Sequence, residues 1–132
     1  AAETVRRLKA RGIRVALATN PIFPRIATAQ RIRWAGLTPD DFALYTTYEN
    51  STFCKPNPDY YREVARTLGV SPAECLMVGN DALEDMAARE TGLDVFLLTD
   101  CLINTKERDL SAYPAGDFAA LNAYLDRLTS EN

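Results

Sequence analysis

Residues 76–85 read LMVGNDALED, an apolar run that stops at Gly79 and is followed by Asp81 and Asp85. Short apolar runs bounded by turn signals are typical of buried strands. In open α/β sheets, ligands bind in the crevice outside the carboxyl ends of the strands, and carboxylates suit a metal ion there. Acidic residues are also favourable at the start of a helix, so this stretch alone predicts either a metal site or a well-capped helix.

Helices and strands alternate on both sides of this stretch, and glycines mark several of their ends. We predict helices over about 2–11, 22–34, 58–68, 82–91 and 116–128, and strands over 13–18, 43–47, 75–79 and 94–98. The second helix places apolar residues at helical spacing, namely Ile22, Ile26, Ala29, Ile32 and Trp34. The loop 99–115 carries no readable role. Strands separated by helices favour a parallel sheet covered on both faces, which predicts an α/β, three-layer Rossmann-like domain.

The composition is that of one folded domain, with 132 residues, 47% hydrophobic residues and a net charge of −3. Residues 1–33 carry eight Lys and Arg against Glu3 alone, but no nucleic-acid motif accompanies them. We therefore expect Arg6, Arg7, Lys9 and Arg11 to line the wet face of the first helix. No apolar stretch is long enough for a membrane span, so we expect no membrane partner. Three cysteines without a CxxC pair, and no histidine, exclude a conventional zinc set and favour a reduced, cytoplasmic protein.

Polar residues with the chemistry of phosphate binding follow three apolar or extended segments. Thr19 and Asn20 leave the strand 13–18, where a hydroxyl and the next backbone N–H can bind a phosphoryl oxygen, although Thr-Asn-Pro is also an ordinary turn. Lys55 precedes a proline that holds it extended, and its ammonium can neutralise phosphate charge. Asp81 suits Mg²⁺, which prefers one or two carboxylates, several waters and a phosphate oxygen. Asp85, one helical turn later, can orient Lys55 or a metal-bound water.

The order of these residues resembles motifs two, three and four of the haloacid dehalogenase-like hydrolase superfamily, over about residues 4–100. The resemblance implies that Thr19 and Lys55 are catalytic residues and that Asn20 joins them in binding the substrate. It also implies that Asp81 and Asp85 hold Mg²⁺. The register of the last motif leaves Asn80 open as an alternative to Asp81 at the metal-facing position.

The first motif of that family, an Asp-x-Asp strand end that carries the nucleophile, does not occur in the 132 residues. The resemblance therefore implies a partial core domain over 1–132 that holds motifs two to four. The first motif and the cap domain would lie in a missing N-terminal segment of the same enzyme or in another chain. The missing strand would lie in the middle of the sheet, between the strands 13–18 and 75–79.

The enzyme that this resemblance implies is a Mg²⁺-dependent phosphatase. It would hydrolyse a small phosphorylated metabolite through an aspartyl-phosphate, and we expect the fragment alone to be inactive. A metal-independent dehalogenase of the same superfamily is an alternative, although the acidic pair after Gly79 favours a cation. A phosphate-receiver-like module uses the same residue types, but there the acids come before the threonine. A non-catalytic interaction module would also be consistent with the absent nucleophile.

Overall fold

The computed structural model describes residues 1–130, in which helices and strands alternate as predicted. The α-helices are α1 (Ala2–Ala10), α2 (Arg25–Trp34), α3 (Pro58–Leu68) and α4 (Phe118–Ser130). The strands are β1 (Ala16–Leu17), β2 (Leu44–Tyr45), β3 (Leu76–Gly79), β4 (Asp94–Leu98) and β5 (Ala115–Gly116). Short 3₁₀-helices cover Pro39–Asp41, Pro72–Glu74 and Met86–Thr91.

The strands pair in parallel throughout, but they form two separate sheets. β1 pairs with β2, and the second sheet has the order β3-β4-β5. Leu76 lies opposite Asp94 in that sheet, and Leu97 lies opposite Ala115. Within residues 1–130, no strand pairing joins β1 to β3. The predicted α/β class and parallel pairing are confirmed, and the sheet divides where the first-motif strand is expected.

Helices cover both faces of the larger sheet. Alternate residues of β4 point to opposite faces, and both sets of side chains are apolar and buried. Val95 and Leu97 are buried in a cluster with Tyr60 and Tyr61 of α3. Phe96, between them, is buried in a second cluster with residues of α4 and α1: Leu121, Leu125 and the partly buried Leu8. The result is a layer of helix, sheet and helix, as predicted from the sequence.

The third helix has the bounds that its capping residues predict. Asn57 accepts a hydrogen bond from Asp59 N at 2.9 Å, which satisfies one of the free N–H groups at the helix start. Gly69 follows the helix in the left-handed conformation, with φ of 73°, which favours glycine. The Asn57 cap therefore sets the first residue of the helix at Pro58, three residues after Lys55.

The second helix begins later than predicted, and the apolar residues noted at helical spacing do not form one buried face. Pro24 precedes the helix in an extended conformation, and a residue before a proline is disfavoured in helical geometry. The helix therefore begins at Arg25 instead of residue 22. Ala29 and Ile32 are buried, whereas large exposed fractions are found at Ile22 (63%), Ile26 (79%) and Trp34 (76%).

The segment 82–91 is not the α-helix that the sequence predicts. Residues 82–85 form turns, and a 3₁₀-helix follows over Met86–Thr91 before Gly92. Asp85 N still donates to Asp81 O at 3.0 Å, so one helical turn separates the two acids as expected. Hydrophobic spacing does not distinguish a tight 3₁₀-helix from an α-helix over so few residues.

The loop after β4 contains a strand that the sequence analysis missed. β5 pairs with the end of β4, and α4 begins at Phe118, two residues later than predicted. Gly116 allows close packing here, because a Cβ at this position would overlap the side chain of Ala120.

The basic residues in α1 and directly after it are exposed or partly exposed, as expected, and pair with groups elsewhere in the chain. Arg7 and Arg11 both form ion pairs with Asp126 of α4, at 3.1 and 2.8 Å. Lys9 pairs with Asp41 at 3.0 Å. The predicted wet face is therefore partly exposed and also forms ion pairs with α4 and with the 3₁₀-helix Pro39–Asp41. None of the helices in the described part of the chain is both long enough and apolar enough to span a bilayer.

Candidate functional site

Thr19 and Asn20 leave the carboxyl end of β1, where two hydroxyl groups hold the Thr19 carbonyl. Thr46 Oγ1 and Tyr60 Oη each donate to Thr19 O at 2.7 Å. The two hydroxyl oxygens lie 3.0 Å apart. Thr19 Oγ1 makes two long contacts, one of 3.3 Å to Thr46 O and one of 3.5 Å to Thr46 Oγ1. The backbone at the end of β1 is therefore fixed, while the Thr19 hydroxyl is weakly engaged.

Lys55 lies beside this strand end and is anchored at both its backbone and its side chain. Its N–H donates to Asn20 Oδ1 at 2.7 Å, and its peptide bond to Pro56 is cis. Its ammonium donates to Asp85 Oδ1 at 2.6 Å. Only 9% of the Lys55 side chain and 6% of the Asp85 side chain are exposed, so this ion pair is shielded from water. The ammonium is therefore fixed in position beside the Thr19–Asn20 turn by these contacts.

Asp85 uses both carboxylate oxygens within the protein. Oδ1 accepts from Lys55, and Oδ2 accepts from Asp81 N at 3.0 Å. Gly79 makes this arrangement possible, since a Cβ at residue 79 would overlap the Asp85 carboxylate. The glycine that ends β3 is therefore required for the acid to reach the lysine.

Asp81 is half-buried and uses one of its carboxylate oxygens within the protein. Oδ1 accepts from Leu83 N and Glu84 N, both at 2.9 Å, which caps the turn that follows. Within residues 1–130, Oδ2 accepts no hydrogen bond. Asp81 therefore caps a turn and not the helix that the sequence predicted as an alternative, and its second oxygen is free for a ligand.

Asn80 faces the loop that follows β4. Its Nδ2 donates to Cys101 O at 2.8 Å, and its carbonyl accepts from Ile103 N at 2.8 Å. Ile103 O in turn accepts from Ala82 N at 2.9 Å. The loop 99–115, which had no readable role, therefore holds the Asn80–Asp81 turn in place.

These contacts bring four of the five residues predicted from the sequence into one network, and the fifth, Thr19, precedes Asn20 in the chain while its own side chain contacts Thr46. Asn20 contacts Lys55, Lys55 contacts Asp85, and Asp85 contacts the backbone of Asp81. The network does not by itself form a metal cage: among residues 1–130, no three His, Cys, Asp or Glu residues come close enough to hold one ion.

An open depression of about 600 Å³ lies elsewhere, between α2 and β2. Its lining includes Arg25, Ile26, Arg33 and Tyr45. Arg25 Nε donates to Tyr45 Oη at 3.1 Å across it. It shares no lining residue with the network, so the candidate site rests on the network alone.

Two buried tyrosines of α3 bind backbone carbonyls of the site through their hydroxyl groups. The sequence analysis did not identify them. Tyr60 is 1% exposed and Tyr61 is 2% exposed. Tyr60 binds Thr19 O, whereas Tyr61 Oη donates to Glu84 O in the turn after Asp81. Burial raises the pKa of both hydroxyls well above the usual tyrosine value, so both remain protonated donors. The feature of the sequence that could have indicated a role for them is their position, five and six residues after Lys55.

Comparison with known proteins gives a match to one family. The sequence profile of the haloacid dehalogenase-like hydrolases matches residues 1–92, which include every residue of the network. YhcW of Bacillus subtilis (strain 168) is 29% identical over 126 residues, covering 92% of this chain and 54% of YhcW. CbbY of Rhodobacter capsulatus is 30% identical over 96 residues, covering 73% of this chain and 42% of CbbY. The chain thus spans about half the length of these curated relatives.

A solved structure gives the same fold. The crystal structure of the HAD phosphatase from Thermococcus onnurineus superimposes with a TM-score of 0.73, at 21% identity. The match covers 93% of this chain and 55% of the other. At this identity the likeness establishes the arrangement of helices and strands.

Proposed function

Because the chain belongs to the haloacid dehalogenase-like hydrolase family, we propose that it forms the phosphate-binding part of a phosphatase for a small phosphorylated substrate. The observation that carries this proposal is the network that links the ends of β1 and β3 through Lys55. A fixed ammonium between a hydroxyl-bearing turn and an acidic turn is an arrangement suited to a phosphoryl group and a cation.

Thr19, Asn20 and Lys55 would bind the phosphoryl group. The Thr19 hydroxyl is only weakly engaged, and within residues 1–130 the N–H of Asn20 makes no hydrogen bond. The Asn20 N–H is free for a phosphoryl oxygen, and the Thr19 hydroxyl would exchange its long bond to Thr46 O for one. Lys55 uses one ammonium proton on Asp85 and has two left, so it can neutralise charge while it stays paired.

Mg²⁺ would lie at Asp81, and the donor chemistry fits this ion. The free Oδ2 of Asp81 is a hard oxygen ligand, and Mg²⁺ commonly takes one or two carboxylates with waters and a substrate phosphate. When bound, the ion would stabilise negative charge on the transferred group. Asp85 would act mainly by orienting Lys55 and the Asp81 turn, since both of its oxygens are engaged.

The nucleophilic aspartate would come from a strand placed between β1 and β3. Asp-x-Asp does not occur in the sequence, and β1 and β3 each pair on one side only within residues 1–130. We propose that residues 1–132 hold motifs two to four of the core domain. The first motif would then be supplied by a further segment of the same enzyme or by another chain.

Steady-state hydrolysis of p-nitrophenyl phosphate tests this function. The protein that carries the first-motif strand should turn over the substrate only with Mg²⁺, and Asp81→Ala should remove activity by about 100-fold or more. Asp94→Ala is the matched control, because Asp94 is the first residue of β4 and lies at the amino ends of the strands, away from Asp81. It should retain activity.

Two results would contradict the proposal in different ways. Mg²⁺-dependent turnover by residues 1–132 alone would refute the supplied nucleophile. Turnover by the protein with the first-motif strand that is indifferent to Mg²⁺ and to Asp81→Ala would refute the metal-assisted phosphatase.

A further inference from the structure

Tyr60 places a hydroxyl group in the protein interior. Packing of the ring does not require this hydroxyl. The side chain is 1% exposed, and a buried hydroxyl without a partner would cost free energy. Its Oη instead donates to Thr19 O at 2.7 Å and lies 3.0 Å from Thr46 Oγ1. Every hydrogen-bond partner of Tyr60 Oη in the described residues thus belongs to the ends of β1 and β2.

The carbonyl that Tyr60 holds belongs to the same peptide unit as the N–H of Asn20. This peptide is trans, since Lys55–Pro56 is the cis bond found in the described chain. In a planar trans peptide the C=O and N–H point in opposite directions. Holding Thr19 O toward α3 therefore directs the Asn20 N–H away from it, on the side where no group of residues 1–130 accepts its proton.

Thr46 cannot replace Tyr60 fully at this carbonyl. Its hydroxyl has one proton, and two carbonyls lie within reach: Thr19 O at 2.7 Å and Leu17 O at 3.4 Å. Tyr60 adds a second donor from a helix whose start is fixed by the Asn57 cap. The Tyr60 ring also packs edge-on against Tyr61, with centroids 5.3 Å apart.

We propose that Tyr60 is a positioning residue that aims the Asn20 N–H at a phosphoryl oxygen of the substrate. This inference rests on the proposed phosphatase function and deepens it. Tyr60 also ties the helix that follows Lys55 to the turn that contains Thr19. The two phosphate-binding elements would therefore keep a constant separation.

Tyr60→Phe tests the inference because it removes the hydroxyl and keeps the buried ring. Tyr61→Phe is the matched comparison: the residue is on the same helix, is equally buried, and donates to Glu84 O instead. Nitrogen-15 heteronuclear spectra of residues 1–132 report each backbone amide without any need for turnover. Tyr60→Phe should shift the Asn20 amide, whereas Tyr61→Phe should shift the amide of Asp85, which shares a peptide unit with Glu84 O.

A titration with inorganic phosphate and Mg²⁺ provides the second measurement, on the protein that carries the first-motif strand. Loss of one hydrogen bond predicts phosphate affinity about fivefold weaker for Tyr60→Phe and nearly unchanged for Tyr124→Phe, because Tyr124 of α4 packs on Phe96 on the other face of the sheet. An unmoved Asn20 amide in Tyr60→Phe would overturn the inference, as would equal losses of affinity in the two variants. If the parent protein binds no phosphate, the proposed function fails, while the Asn20 amide still decides whether Tyr60 orients that peptide.

Discussion

The Asp85 carboxylate connects the Lys55 side chain to the turn that contains Asp81. Asp85 is 4% exposed, and its oxygens bind the Lys55 ammonium and the Asp81 N–H. A buried charge of this kind is stable only while its partners remain in place. Substitutions at this carboxylate or in the space that it occupies should therefore affect stability as well as activity.

Asp85→Asn should destabilise the fold by about 3–5 kcal/mol, because it leaves the Lys55 ammonium buried without a countercharge. Asp59→Asn is the control, since Asp59 pairs with Arg62 at the surface, where both side chains are about half exposed. That change should cost about 1 kcal/mol or less. Urea unfolding monitored by circular dichroism measures both. Adding Lys55→Met to Asp85→Asn should recover part of the loss, and equal losses for the two single variants would contradict the buried pair.

Gly79→Ala should destabilise the protein by about 3 kcal/mol or more, because the new Cβ overlaps the Asp85 carboxylate and displaces it from Lys55. Gly12→Ala is a suitable comparison. Gly12 has φ of 75° but nothing within 4 Å of an added Cβ, so only backbone strain of about 1 kcal/mol is expected. The midpoints of thermal unfolding compare the two variants. A Gly79→Ala protein as stable as Gly12→Ala would show that the carboxylate has room to move.

At the scale of elements, α3 serves the site from two directions. Its start follows the Lys55 segment, and its buried face holds Thr19 through Tyr60 and the acidic turn through Tyr61. The two strand ends belong to separate sheets, so this helix supplies a connection that strand pairing does not.

Because Tyr60 and Tyr61 are buried, we expect the folded protein to lose stability at alkaline pH. Burial raises the pKa of each in the folded state above the unfolded value near 10, so the folded protein keeps protons that the unfolded chain releases. Stability is complete below about pH 10 and falls as pH rises, by about 1.4 kcal/mol per pH unit for each tyrosine. Denaturant unfolding between pH 8 and about 11 measures the slope. Tyr60→Phe should make it shallower, and an unchanged slope would contradict the assigned burial effect.

Local signals explain which elements the sequence predicts. The bounds of α3 follow from Asn57 and Gly69, which act within a single turn of backbone. β5 has two residues and no periodicity, so its pairing depends on long-range contact with β4. The 3₁₀-helix after Asp85 has the same apolar spacing as an α-helix over its length.

The proximity of the candidate residues was predictable because they follow extended segments, and their roles stay predictions. Thr19, Lys55 and Asp81 combine suitable chemistry with positions after extended segments, and the structure links those segments. Tyr60 was not predictable, because an aromatic residue at a helical core position indicates packing by default. Only the position of its hydroxyl in three dimensions reveals the bond to Thr19.

At the scale of the whole molecule, stability should be uneven between the two sheets. β4 pairs on both sides, and Val95, Phe96 and Leu97 are at most 3% exposed. The β1–β2 sheet has two residues in each strand. We expect amides 95–97 to exchange at least about 100-fold more slowly than amides 16–17 and 44–45 in native-state hydrogen exchange. Equal protection would mean that the sheets open as one unit.

The division between β1 and β3 also has a consequence for the behaviour of the chain in solution. Each of these strands presents one edge without a strand partner within residues 1–130, and free edges are templates for pairing with another chain. Residues 1–132 alone should therefore self-associate as their concentration rises, which light scattering would detect. A protein in which the gap is filled should stay dispersed, so the same strand would govern both catalysis and solubility.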